Sequence, residues 1–106
     1  MTQGLGLVVR FLLASDEAAA AFDDLCARTM EGIEEHEPGT LVYVRHTPPE
    51  EPLTRVFYEL YADREAFEAH EAQEHVRHFL SERGQYLAGT EVIFLDAIDG
   101  KVAAQS

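Results

Sequence analysis

Hydrophobic spacing divides this chain into stretches with a period near two and stretches with a period of three to four. Gly6 to Leu13 is a dense aliphatic run broken only by Arg10, and it reads as a buried strand. Ser15, followed by Asp16 and Glu17, supplies an N-cap and an acidic first turn for a helix. Beyond it Ala18, Phe22, Leu25, Thr29 and Ile33 recur at three- and four-residue steps, with Asp23, Asp24, Glu31 and Glu34 mostly elsewhere. That is a helix packed on one side. It must stop before Pro38, which pushes the preceding residue out of helical backbone, and Gly39 completes the turn.

Thr40 to His46 is rich in β-formers, and the prolines of the segment from His46 to Pro52 suit a hairpin loop because they cannot donate ladder hydrogen bonds. From Thr54 to Tyr61, Val56, Tyr58 and Leu60 alternate with Phe57, Glu59 and Tyr61, so both faces are largely apolar and both need cover. Asp63 caps the next helix, which carries Phe67 and His70, then Val76, Phe79 and Leu80, with an offset expected near Ala72 or Gln73 where the stripe changes phase. Gly84 ends that helix, Thr90 to Asp96 makes a last strand, and Gly100 to Ser106 is a short polar tail.

The resulting order, β-α-β-β-α-β, is the ferredoxin-like split arrangement, an α+β fold with a four-stranded antiparallel sheet. Two helices cover one sheet face only. Val8, Arg10 and Leu12, with the two-sided third strand, leave apolar area on the other, for which a second copy is the natural cover. A homodimer packed sheet to sheet is therefore expected.

Composition narrows the function classes. A length of 106 residues suits one domain, and 46% hydrophobic with 26% charged residues is ordinary globular composition. Twenty acidic against eight basic residues give a net charge of -12, which repels nucleic acid and anionic membrane surfaces. An anionic substrate would need its own cation, for which Arg10 and Arg45 are candidates. Cys26 is the sole cysteine, so no intrachain disulfide forms and a cytoplasmic location is the default. The apolar run from Leu5 to Leu13 lacks a leading basic region and is too short to span a bilayer as a helix.

The segment from Val56 to Phe79 carries the most specific signal: a strand ending in Glu59 and Tyr61 runs into a helix bearing His70, His75 and Phe79. Together with Glu37 to Tyr43 (EPGTLVY), it resembles the antibiotic biosynthesis monooxygenase family over about residues 5 to 96. The resemblance implies a dimeric α+β barrel with a cavity between sheet and helices in each subunit. It also implies oxygenation of quinols or polyketide aromatics without a bound cofactor. A heme-degrading branch of the same superfamily uses a histidine late in the second helix and a tryptophan earlier in it. Here Leu80 and His70 stand near those places and the chain has no tryptophan, so a heme role is not supported.

His70 shares a helix face with Phe67 and should turn toward the sheet. As a neutral base it could take a phenolic or enolic proton and create an anion that reacts with O2. Alternatively it is a core histidine hydrogen-bonded to Glu59, Tyr61 or a backbone carbonyl. Glu59 interrupts an apolar strand and needs a partner: it could orient His70, accept a substrate hydroxyl, or pair with Arg10, Arg45 or Arg55. Tyr43, Tyr58 and Tyr61 suit an aromatic pocket and a half-buried sheet equally, and Tyr61 is the one the resemblance carries over.

His75 lies one turn before Phe79, and the resemblance puts it at the cavity mouth. The spacing of Glu71, Glu74, His75 and His78 allows a metal-binding helical face, but a solvated face with local ion pairs accounts for it, and no metal is expected. Arg45 and His46 adjoin the hairpin turn and should be exposed. The chain has no GxGxxG, P-loop, CxxC or GxSxG motif. The site reading is thus His70, Tyr61 and Glu59 as catalytic residues, with Tyr43, Phe67, His75, Phe79 and Arg10 around a small aromatic or quinol-like substrate. A non-catalytic binding or stress-response domain is the competing reading, and an isomerase or cyclase using the same base is the third.

Overall fold

The computed structural model describes residues 4–102. Residues 1–3 and the last four positions of the expected polar tail, from 103 onward, lie outside them. The strands are β1 (Leu5–Leu13), β2 (Thr40–His46), β3 (Thr54–Tyr61) and β4 (Leu87–Asp96), and the helices are α1 (Asp16–His36), α2 (Arg64–Ala72) and α3 (Glu74–Glu82). The four strands form one antiparallel sheet in the order β2-β3-β1-β4. No helix among the described residues is long and apolar enough to cross a membrane.

Local chemistry sets the helix ends. The Ser15 hydroxyl accepts a hydrogen bond from the Ala18 amide at 3.1 Å, and the Asp63 carboxylate accepts one from the Ala66 amide at 2.8 Å. α1 ends at His36, ahead of Pro38. The phase change expected near Ala72 or Gln73 is a full break: Gln73 is extended, at φ -68° and ψ 141°, and separates α2 from α3. The break lets Phe67 and His70 on one segment and Val76 and Phe79 on the next all turn inward.

One boundary differs from the sequence reading. A 3-10 turn at Arg83–Tyr86 delivers the chain into β4 at Leu87, three residues before Thr90. Leu87 pairs with Leu13 across a bulge, so cross-strand pairing recruits Ala88 and Gly89 despite their weak β preference. Along α1, Ala19 and Cys26 join Phe22, Leu25, Thr29 and Ile33 in the buried stripe, while Ala18 is half-buried at its margin.

Strand alternation sorts the sheet into two faces. Leu5, Leu7, Val9, Phe11 and Leu13 point toward the helices, where Phe11, Phe22 and Phe57 pack with ring centroids 4.9 to 6.1 Å apart. Leu12, Val44, Tyr58, Ile93 and Leu95 lie on the other face and are exposed.

Candidate active site

Three elements converge behind the inner sheet face. α2 brings His70, α3 brings His75, and the short link between α1 and β2 brings Glu37. Gly39 is what allows the link to pass so close beneath α2, because a β-carbon there would stand 2.6 Å from that of Ala66. The Ala62 amide donates to the Gly39 carbonyl at 2.9 Å and ties the end of β3 to the same link.

Glu37 is buried and binds both histidines. Its Oε1 lies 2.6 Å from His70 Nδ1, its Oε2 lies 2.5 Å from His75 Nε2, and the Thr40 hydroxyl donates to Oε1 at 2.7 Å. Burial works against the Glu37 charge, but the hydrogen bonds from His70, Thr40 and His75 outweigh it and hold the carboxyl below its ordinary range. With Nδ1 engaged by a carboxylate, the Nε2 of His70 has no protein partner among the described residues and is left for the adjoining cavity.

That cavity, about 190 Å³, lies between the inner sheet face and the α2–α3 layer. Its walls include Tyr43, Glu59, Phe67, His70 and Phe79, together with Leu7, Val9 and Phe57 from the sheet. Val92 and Phe94 of the edge strand β4 border it and are exposed. Arg83 stacks its guanidinium over the rings of Phe11 and Phe79, at 5.4 and 5.7 Å from their centroids.

Glu59 has a partner, though not one of those the sequence suggested. The Tyr61 hydroxyl donates to Glu59 Oε1 at 2.5 Å, both side chains lying on the inner face two residues apart. Arg10 instead pairs with Glu51 and Glu91, and Arg45 and Arg55 both bind Asp23 on α1. Orientation of His70 comes from Glu37 and not from Glu59. Burial raises the Glu59 carboxyl above its ordinary range, and burial followed by the Glu59 charge pushes the Tyr61 phenol up.

The expectation that Arg10 reaches the substrate is corrected by strand parity. It sits with Val8 and Leu12 on the face away from the helices, and its side chain is exposed. Arg45, expected in solvent beside the hairpin, turns inward and is half-buried at 2.9 Å from Asp23. His75 does not line the cavity. It lines a groove of about 740 Å³ between α1 and α3 and meets the cavity only through Glu37 and His70. His78 is exposed, and among the described residues no group of three or more His, Cys, Asp or Glu is arranged to hold a metal ion.

Glu37 is the residue that pattern reading missed. It sits within the EPGTLVY segment, but nothing in local spacing links it to a histidine 33 positions later. The available signal was a carboxylate set directly before Pro-Gly at a helix end, where the chain turns back under the second helical layer.

Comparison with known proteins agrees with this architecture. The family model described as antibiotic biosynthesis monooxygenase matches residues 6–82. A Caulobacter crescentus protein provisionally designated an antibiotic biosynthesis monooxygenase superposes with a TM-score of 0.85 at 24% identity, covering 92% of each chain. A Mycobacterium tuberculosis protein, Rv0793, gives 0.82 at 20% identity over 92% of this chain and 97% of its own. A Bacteroides thetaiotaomicron protein with the same provisional designation gives 0.82 at 21% identity over 98% and 96%. No curated protein matches by sequence.

Proposed function

The chain belongs to the antibiotic biosynthesis monooxygenase family, and on that premise we propose that it oxygenates a one-ring quinol or related phenol with O2, in the cavity under α2 and α3 and without a bound cofactor. The observation that carries this reading is the His70 imidazole, tied at Nδ1 to a buried carboxylate and facing the cavity with Nε2. A carboxylate on Nδ1 fixes the tautomer and strengthens the other nitrogen as a base.

The chemistry follows from that base. His70 takes a hydroxyl proton from the quinol, the electron-rich anion adds O2 at a ring carbon, and His70 returns the proton to give the hydroperoxide; breaking its O–O bond with loss of the hydrogen on that carbon releases water and leaves a hydroxyquinone. Quinol and O2 thus give hydroxyquinone and water, with the substrate supplying the electrons. Glu59 retains its proton to higher pH than an ordinary carboxyl and suits donation to the departing oxygen. Tyr43, Phe67 and Phe79 supply aromatic walls against which a ring can stack.

Volume selects the substrate size. An apolar cavity of roughly 150 Å³ holds benzene, so about 190 Å³ suits one substituted ring better than a fused polycycle.

A second copy of the chain is the partner we assign to the outer sheet face. Val44, Tyr58 and Ile93 form an exposed apolar row across β2, β3, β1 and β4, with Val8 at its centre. The row carries no charge in a chain of net charge -12, so two copies can meet there with little repulsion. The single sheet from Leu5 to Asp96 supports one domain, and the lone buried Cys26 suits the cytoplasm.

Mass analysis of products formed under ¹⁸O2 tests the oxygenation. One labelled oxygen in the hydroxyquinone is the expected result. Unlabelled quinone with hydrogen peroxide would make the protein an oxidase, and no product at all would favour a binding module.

A further inference from the structure

His70 and His75 open on different spaces, and one buried carboxylate joins them. His70 borders the inner cavity, whereas His75 borders the groove between α1 and α3. Glu37 touches both imidazoles, one oxygen to each. Side-chain exposure rises from 3% at Glu37 and 6% at His70 to 17% at His75, so His75 is the member most in contact with water. Its seat is a built feature of the fold: a β-carbon on Gly32 of α1 would stand 2.4 Å from the His75 ring. A glycine inside a helix is destabilising relative to alanine, and here it makes the space in which His75 reaches Glu37.

We propose that His75 is the proton port of the cavity: a proton taken up by His70 inside is matched by one released from His75 into the groove. The proposal rests on the reading of His70 as the base. The proposed cycle starts from a Glu37 carboxylate, an imidazolium at His75 donating from Nε2 and a neutral His70 donating from Nδ1. The substrate hydroxyl gives its proton to His70 Nε2. Two imidazolium ions now share one carboxylate, which disfavours the second charge. The Nδ1 proton of His75 passes to groove water, so one proton has entered the cluster and one has left. When His70 returns its proton to the peroxide formed on the ring, His75 is reprotonated from the groove.

The surroundings fit that traffic. Glu31, Glu35 and Glu74 line the groove and give it a negative field that holds protons near His75, with Arg28, His36 and His78 in the same wall. His70 is packed against the rings of Tyr43 and Tyr61, with centroids at 5.6 and 5.0 Å, and its burial shields it from direct exchange with bulk solvent. Thr40 adds its hydroxyl to Glu37, and Glu59, Glu71 and Arg83 are the other charged groups of the cavity wall, with the Tyr43 phenol beside them. His75 acts through Glu37 and His70 and touches no reacting atom, so its role is that of a positioning residue.

The test is His75→Gln, whose amide can still donate to Glu37 but cannot titrate. Oxygen uptake with para-hydroquinone and methylhydroquinone is followed in weak and strong buffer, with and without added imidazole. Solvent exchange of the His70 ring proton is followed by NMR of ¹⁵N-histidine protein. Turnover in weak buffer should fall about 10-fold, less than the roughly 100-fold or greater cost of losing a general base, and imidazole should restore it. The His70 ring proton should exchange more slowly in the variant. Wild-type turnover at every buffer strength overturns the port, and so does a loss that imidazole does not restore with exchange unchanged. If the wild type consumes no oxygen, the reading of His70 as an oxygenase base fails, and the exchange measurement alone decides the port.

Discussion

The imidazole of His75 occupies the space that a β-carbon on Gly32 would fill, at 2.4 Å from its nearest atom. Exchanging an interior helical glycine for alanine ordinarily stabilises a helix by about 1 kcal/mol. Gly32→Ala should do the opposite, because the contact falls at the root of the His75 ring and forces it from Glu37. Thermal unfolding of the variant against wild type checks the sign, and a lower midpoint is the expected outcome.

Glu37 should contribute stability that depends on acid in a definite direction. Its carboxyl titrates below the ordinary value of 4.5 when folded, so its contribution is present above about that pH and is lost as the pH falls through the lower folded value. Glu37→Gln leaves two histidines and Thr40 with a poorer acceptor, at a cost of about 1–3 kcal/mol near neutral pH. Urea unfolding at pH 7 and at progressively lower pH should show the gap between wild type and variant closing in acid.

Much of the fold was legible because the relevant signals are local. The stripe on α1, the Ser15 and Asp63 caps and the stop at Pro38 are each written within a few residues. The phase slip between His70 and Val76 announced the break at Gln73. What escaped depends on contacts distant in sequence. Glu37 reaches His70 only because Gly39 lets the chain pass under α2, and β4 starts at Leu87 only because Leu13 is there to pair with it. Glu59 found Tyr61 on its own strand face, while the arginines thought to serve it were taken by Asp23, Glu51 and Glu91. The site reading therefore gathered His70, Glu59, Tyr43, Phe67 and Phe79 around one space, with Tyr61 buried behind them against His70 and Glu59, but missed the carboxylate that links His70 to His75.

Cys26 should be chemically silent in the native protein. Burial pushes its thiol up to about 12, and the side chain lies in the α1 stripe, so the nucleophilic thiolate is scarce and shielded at once. Labelling with a thiol reagent at pH 8 should be slow under native conditions and rapid in denaturant.

Ile93, exposed by 54% on the outer sheet face, is the position at which to test self-association. The wild type should sediment at micromolar concentration with twice the 11.9 kDa mass of one chain. Ile93→Asp places a charge in the apolar row opposite Val8 and should yield the monomer. A wild-type monomer would remove the proposed partner.

Oxygen consumption during turnover of a one-ring quinol, by wild type and by His70→Ala, tests the central claim most directly. The cavity chemistry requires enzyme-dependent uptake above autoxidation that falls by about 100-fold or more when the base is removed. Equal uptake by both proteins would contradict it, because oxygenation would then proceed without His70.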